Sequence, residues 1–248
     1  MRVQDMKLSD QPGDPDKIVR RKLSDQVFDR LRDLIASGEI PPGDPMPSER
    51  DLMERFGVGR PAVREALQHM HTMGLITISH GERSRVNALS ADSVLSRVDD
   101  VARMLLSSEP AQLEHLKQAR RMFESGMVRV AAAQATAEDV QDLRDLVAEQ
   151  RRQMRDPAAF VTTDIAFHNR IAQVSANPIL IATSQSMLRW LFQYHGGLLH
   201  WSGNEDTTLQ EHETIVDLIA ARDADAAVQA MQAHLDRSKQ LYQHPERN

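Results

Sequence analysis

Asp164 and His168 stand four residues apart, and His212 precedes Ile215, Val216 and Ile219 at three, four and seven residues. His234 shares a helical stripe with Ala227, Ala230, Met231 and Leu241. On helices, these spacings turn each ligand-type side chain toward an apolar face. Three imidazoles and a carboxylate from three helices, converging inside a bundle, form a donor set for zinc, nickel, manganese or iron. Any one of these histidines alone is more simply a satisfied core residue, and spacing does not decide between the readings.

A second group of residues suits a different chemistry. Arg60 and Arg64 lie at i and i+4 near the start of a predicted helix, whose other face carries Val63, Ala66, Leu67 and Met70. A guanidinium fork matches the O6 and N7 acceptors of guanine. Arg50, near the start of the preceding helix, fits a backbone or base contact. His80, Gly81 and Arg83 fall in a turn between two short strands, where glycine permits close approach to a groove. The alternative is a structural winged helix whose arginines are merely solvated.

The elements that must position these residues follow from local signals. Residues 1–22 are polar, broken by Pro12, Gly13 and Pro15, and read as a disordered arm ending in the basic run Arg20-Arg21-Lys22. A first helix is expected from Ser24 as N-cap to about Ser37, followed by a tight proline-rich connection. Ser48 and Asp51 propose a capping box for a short helix over Glu49 to Phe56. A turn at Gly57-Val58-Gly59 leads to a third helix from Arg60 to about Met73, with Pro61 tolerated in its first turn. Leu75 to Ile78 and Ser84 to Val86 read as strands. Helix, short helix, turn, helix and two-stranded wing describe a winged helix-turn-helix. The remainder reads as helices near 92–107, 110–133, 137–154, 157–174, 178–200, 207–221 and 223–243, with Thr136 an N-cap. The expected fold is mainly α. Its parts are an N-terminal arm over 1–22, a DNA-binding winged helix over 23–88 and an all-helical bundle over 91–244.

Composition narrows the function classes. The chain has 248 residues and no cysteine, which excludes a disulfide framework, an iron–sulfur cluster, a thiolate zinc finger and a cysteine nucleophile. No apolar run reaches the ~20 residues needed to span a bilayer. The first twenty residues lack the apolar core of a signal peptide, so a soluble cytoplasmic protein is expected. Net charge is −6, yet residues 1–89 carry 14 Lys+Arg against 14 Asp+Glu, which places the acidity beyond residue 89. An acidic total therefore says little about one DNA-facing surface. Phosphate-binding glycine loops and a nucleophile elbow are missing from the sequence.

Pro47-Ser48-Glu49-Arg50-Asp51-Leu52 and Val58-Gly59-Arg60-Pro61-Ala62-Val63-Arg64-Glu65-Ala66-Leu67 resemble the GntR family of bacterial transcription regulators over roughly residues 23–86. The resemblance implies operator contacts from Arg50, Arg60 and Arg64, with Gly81 in the wing. Gly59 departs from it, since the family usually has Ser or Thr there. Asp164-Ile165-Ala166-Phe167-His168, Asn177-Pro178, Glu211-His212 and His234-Leu235 resemble the FCD ligand-sensing domain of the FadR subfamily over roughly 92–243. That resemblance implies that Asp164, His168, His212 and His234 bind a divalent metal, zinc first, with nickel or manganese as alternatives. Arg120-Arg121-Met122-Phe123-Glu124 resembles the family's Arg-Glu element, which implies that Arg120 binds an effector carboxylate; a guanidinium clamps such a group with two parallel bonds. The alternative is that Arg120 pairs with a nearby acid. Gly81 to Val86, Ser90 to Ser93 and Met122 to Ser125 are similar to sialic-acid-responsive repressors within the subfamily.

The expectation is therefore a homodimeric regulator, a repressor rather than an activator. Double-stranded operator DNA and a small carboxylate effector, a sialic or other sugar acid, would be its partners, with no membrane involved. A metal-dependent enzyme acting on a sugar acid or hydroxy acid is the alternative. It leaves the winged helix-turn-helix, the DNA reading head, unexplained and lacks an evident general base. An architectural DNA-binding protein without an effector is a third reading.

Overall fold

The computed structural model describes residues 21–79, 83–108, 110–195 and 204–238. The chain divides into two compact units between Leu89 and Ser90. The first contains α1 (Leu23–Ala36), α2 (Glu49–Phe56), α3 (Arg60–Thr72), β1 (Ile76–Thr77) and β2 (Arg85–Val86). Val27 and Leu31 of α1, Leu52 of α2, and Val63, Ala66, Leu67 and Met70 of α3 close its core with Ile76 and Val86. The strands are antiparallel, with Ile76 opposite Val86 and Thr77 opposite Arg85. Ile76 and Val86 therefore face inward while Thr77 and Arg85 face out, as the pleat requires.

Local chemistry sets the helix ends here. Ser48 accepts from the Asp51 amide and Asp51 returns the bond to the Ser48 amide, a complete capping box at the start of α2. Gly57 ends that helix with φ +62°, a left-handed conformation that favours glycine. Gly59 caps α3 without a side chain, and a Cβ built there would meet only Pro61 Cδ at 3.6 Å. Its departure from Ser or Thr is therefore chemical and not steric. The proline-rich stretch before α2 runs along β2. The Gly43 amide donates to the Val86 carbonyl at 2.8 Å and the Met46 amide to the Ser84 carbonyl at 2.7 Å.

Two local expectations differ from the structure. α1 opens at Leu23, with Lys22 at the cap position, because the Gln26 amide already bonds the Lys22 carbonyl; Ser24 lies inside the helix, buried. The strands are shorter than expected because the Leu75 amide goes to the Met70 carbonyl at the end of α3, while the Ser84 carbonyl serves Met46. His80 and Gly81 lie outside the described residues, as do residues 1–20 of the expected arm, Leu241 and the far ends of the helices expected over 178–200 and 223–243.

The second unit is helical: α4 (Ala91–Leu95), a 3-10 turn at Ser96–Val98, α5 (Asp99–Ser108), α6 (Pro110–Gln134), α7 (Ala137–Arg152), α8 (Pro157–Gln173), α9 (Pro178–His195), α10 (Glu205–Ala220) and α11 (Ala224–Ser238). A continuous helix over 92–107 is expected from sequence, but the 3-10 turn at Ser96–Val98 interrupts it. Hydroxyls of Ser93 and Ser96 bond back to the carbonyls of Ser90 and Ser93, competing with the helical ladder. At the start of α5, Asp99 accepts from Arg189 Nε at 2.8 Å and Trp190 Nε1 at 2.6 Å on α9. The long helix α6 packs against α5, α8, α9, α10 and α11. Val128, Leu143, Phe160, Phe167, Ile171, Leu209, Ile215, Ile219 and Met231 fill the core around it. Among the described residues, no helix is long and apolar enough to cross a membrane.

Thr136 and Asp139 form the capping box of α7. The Thr136 backbone N–H, then burial in the opposite sense, then the Thr136 hydroxyl and Arg170 leave the Asp139 carboxyl below its usual 3.8. A depressed carboxyl contributes stability that is present above 3.8 and is lost as pH falls through the folded value. Thr136→Ala is expected to cost about 1 kcal/mol at neutral pH. In urea denaturation the difference from the parent should shrink well below 3.8, where Asp139 is already protonated.

Candidate metal centre and nucleic-acid interface

α8 brings Asp164 and His168 to one inward face, α10 brings His212 and α11 brings His234, all four buried. Ligand atoms of the three histidines lie within 4.8 Å of one another. His234 Nε2 is 3.4 Å from His168 Nε2. Asp164 reaches the same point, with Oδ1 3.6 Å from His212 Nε2 and Oδ2 3.9 Å from His168 Nε2. Phe167 stacks on His212 with ring centroids 4.0 Å apart, fixing the plane of that ring.

What stands behind each ring decides which nitrogen faces the centre. His212 Nδ1 is 2.9 Å from Gln150 Oε1, an acceptor, so its proton sits on Nδ1. His234 Nδ1 donates to Glu211 Oε2 at 2.7 Å. His168 Nδ1 lies 2.5 Å from Glu124 Oε2, although the approach falls off the line of a good hydrogen bond and neither atom finds another partner. A carboxylate so close still holds the proton on Nδ1. All three rings thus turn an Nε2 lone pair inward, and His212 Nε2 has no hydrogen-bond donor. Convergent lone pairs beside a carboxylate repel one another in a dry interior, and a divalent cation satisfies them together. The donor set fits such an ion, and the carboxylates and amide behind the rings are the usual means of orienting ligating imidazoles.

The electrostatics agree. Burial, followed by the neighbouring His234 and His168, drives His212 well below the usual histidine range, which keeps it neutral. Burial also lowers His234, against the bond from Glu211. Glu211 is itself held by Arg237, which donates from Nε and Nη2 at 2.6 Å each. Burial opposes the charge on Glu211, but His234 and Arg237 bring its pKa to about 2. Burial likewise opposes the charge on Glu124, while Arg120 and His168 hold it at about 2. Glu124 is matched to Arg120 and Glu211 to Arg237, whereas Asp164 faces the centre beside His168, His212 and the Gln150 amide.

Arg120 is buried on α6 and pairs with Glu124, one turn on. Arg121 turns the other way, to Asp236 and Gln232 of α11. Sequence spacing marks Asp164, His168, His212 and His234 but gives no sign of Gln150 or Arg237. Glu211 is adjacent to His212 in sequence yet serves His234, a pairing visible only once α10 and α11 are packed.

On the first unit, Arg60 and Arg64 project from α3 with side chains 60% and 63% exposed, and Arg50 projects from α2 with 89% exposed. Glu49 lies between Arg60 and Arg64. Arg64 Nε donates to its two carboxylate oxygens at 2.9 and 3.1 Å, and Arg60 Nε stands 3.7 Å from Oε2. Arg83, beside the wing, is exposed.

Comparison with known proteins agrees with this architecture. The model of the bacterial regulatory proteins of the gntR family matches residues 23–86, and the FCD domain model matches residues 115–237. An HTH-type transcriptional repressor NanR of Cronobacter sakazakii is 39% identical over 221 residues, covering 88% of this chain and 85% of that protein. Its namesake from Klebsiella aerogenes is 39% identical over 222 residues, covering 88% and 84%. A solved structure, Streptococcus agalactiae GntR, shares the fold with a TM-score of 0.68 at 22% identity, covering 88% of this chain and 99% of that one. Reading head and helical domain together define a DNA-binding transcription regulator and not an enzyme. The chain belongs to the GntR family of bacterial regulatory proteins, among the members that carry an FCD domain.

Arg120→Met strips the buried, ionised Glu124 of its guanidinium. The cost in urea denaturation of metal-stripped protein is expected to be about 3–5 kcal/mol. The Arg120→Met/Glu124→Gln double variant should recover much of that loss. An equal loss in single and double variants would place the cost elsewhere.

Proposed function

We propose that the protein is a metal-assisted transcriptional repressor whose operator affinity answers to a small carboxylate, a sialic or other sugar acid. The observation that carries this reading is the convergence of three Nε2 lone pairs and the Asp164 carboxylate at one buried point, with an acceptor oxygen beside every Nδ1. Zinc is the first choice for three imidazoles and a carboxylate, with nickel or manganese as alternatives. When bound, the ion supplies a Lewis acid for a carboxylate or hydroxyl of the effector. Neutral imidazoles and the charge-matched Glu124 and Glu211 leave the divalent ion only partly neutralised by Asp164, so an anionic ligand is favoured. In this reading Arg120 supplies the second anchor, sharing its guanidinium between Glu124 and the effector. The repressor role and the sugar-acid class follow the similarity to the NanR repressors and the sequence resemblance already described.

The DNA contacts in this reading come from Arg50, Arg60 and Arg64, with His80, Gly81 and Arg83 of the wing beside them. Val94, Val98, Val101 and Leu105 repeat at four, three and four residues and remain 53%, 45%, 66% and 55% exposed, with Met104 at 73%. That apolar stripe suits a second copy of the chain, and a symmetric dimer reads a palindromic operator. The effector shifts the dimer between states of different operator affinity, and a coupling of ~1–3 kcal/mol changes that affinity by five- to 150-fold. Acting on the bacterial chromosome, the protein works in the cytoplasm.

The test uses a duplex selected from a random library by the wild-type chain. Arg64→Ala should weaken it by about 1–3 kcal/mol and relax base preference, without changing effector binding. Unchanged operator affinity would remove Arg64 from the interface. Calorimetry of N-acetylneuraminate into zinc-loaded protein should give saturable heat that disappears after zinc removal and falls in Arg120→Lys, which keeps the charge but loses the fork. Saturable heat that is indifferent to zinc and to Arg120→Lys would contradict the proposed effector site. An absence of heat would overturn the sialic-acid assignment and turn the search to other sugar acids and hydroxy acids.

A further inference from the structure

Gln150 stands apart from the other groups around the centre. It comes from α7, is fully buried, and is the neutral member of the three groups behind the histidine rings. Its Oε1 accepts from His212 Nδ1 at 2.9 Å, while its Nε2 donates to Asp164 Oδ1 at 3.2 Å. The two bonds constrain each other. Asp164 accepts only, so it must face the amide NH2, which leaves the amide oxygen facing His212. An amide oxygen can only accept, so the His212 proton is confined to Nδ1 and the Nε2 lone pair points to the centre.

We infer that Gln150 is a positioning residue for the metal centre, one amide setting both the tautomer of His212 and the aim of the Asp164 carboxylate. The inference deepens the metal reading and rests on it for its affinity consequence, but the tautomer it assigns is a property of the metal-free chain. The side chain joins α8 and α10 through a third helix, so two ligands on separate helices are oriented by one group. A carboxylate at this position would face the Asp164 carboxylate and offer it no N–H. A hydrocarbon would leave both the His212 Nδ1 and the Asp164 oxygen without this partner. Glutamine is the residue type that supplies a donor and an acceptor at that reach without adding charge.

The experiment compares the wild-type chain with Gln150→Met and Gln150→Leu, which keep bulk without the amide. Ser184→Ala serves as control, since it removes a different buried polar group of the same unit, a hydroxyl bonded to Asn169. Long-range 1H–15N correlation of the metal-free proteins reads the ring tautomer, with the His212 signals assigned by their loss in His212→Ala. The wild type and Ser184→Ala should show His212 protonated on Nδ1, and the Gln150 variants should move toward the Nε2–H form or a mixture. Zinc affinity, by competition with a chromophoric chelator, should fall roughly 10–100-fold in the Gln150 variants and stay unchanged in Ser184→Ala. His212 protonated on Nε2 in the wild type would overturn the inference. So would tautomer and affinity unchanged in both Gln150 variants, or an equal affinity loss in Ser184→Ala. A wild-type chain that takes up no zinc would remove the metal reading, and the tautomer would then decide alone whether Gln150 sets His212.

Discussion

Three imidazole nitrogens and a carboxylate share one dry point, and their lone pairs repel unless a positive charge stands between them. His168, His212 and His234 are buried, and the Asp164 carboxylate lies buried beside them. Much of the helical domain can be understood as the frame this arrangement requires. α8, α10 and α11 present the four groups, while α6, α7 and α10 present the groups that hold the rings from behind. Glu124 and Glu211 are acids made tolerable by Arg120 and Arg237, so the rings of His168 and His234 have carboxylates behind them while the surrounding charges balance; behind His212 stands the neutral Gln150 amide.

The same frame brings the proposed effector anchor into contact with the centre. Glu124 touches Arg120 through one oxygen and His168 through the other. A carboxylate that engages Arg120 competes with Glu124, and a cation that engages His168 strengthens the pull on Glu124. In the proposed function the two events would share one buried side chain, the physical form a sensor needs if ligand occupancy is to alter the balance between states. In the winged helix, Glu49 holds Arg60 and Arg64 together on the exposed face of α3.

Much of this was legible in the sequence because the relevant signals are local. Ser48 with Asp51 fixed both the start and the cap of α2, and Thr136 with Asp139 did the same for α7. Helical spacing against Ile215, Val216 and Ile219 placed His212 inward, and Asp164 with His168 followed from i and i+4. What escaped depends on packing between helices. Gln150 lies fourteen residues before Asp164 and 62 before His212, separations that carry no periodic signal. Arg237 could not be told from any other solvated arginine until α11 lay against α10. The 3-10 turn between α4 and α5 leaves no mark on the apolar periodicity, which continues through it, while serine hydroxyls compete with the helical ladder.

The central claim is that these four side chains hold one ion. Diffraction from crystals of the zinc-loaded protein, recorded on both sides of the zinc absorption edge, tests it directly. The account predicts an anomalous peak at about 2.0–2.2 Å from Nε2 of His168, His212 and His234 and from an Asp164 oxygen. A peak bound through Nδ1, a peak elsewhere on the chain, or no peak in protein shown to be saturated with zinc would contradict it.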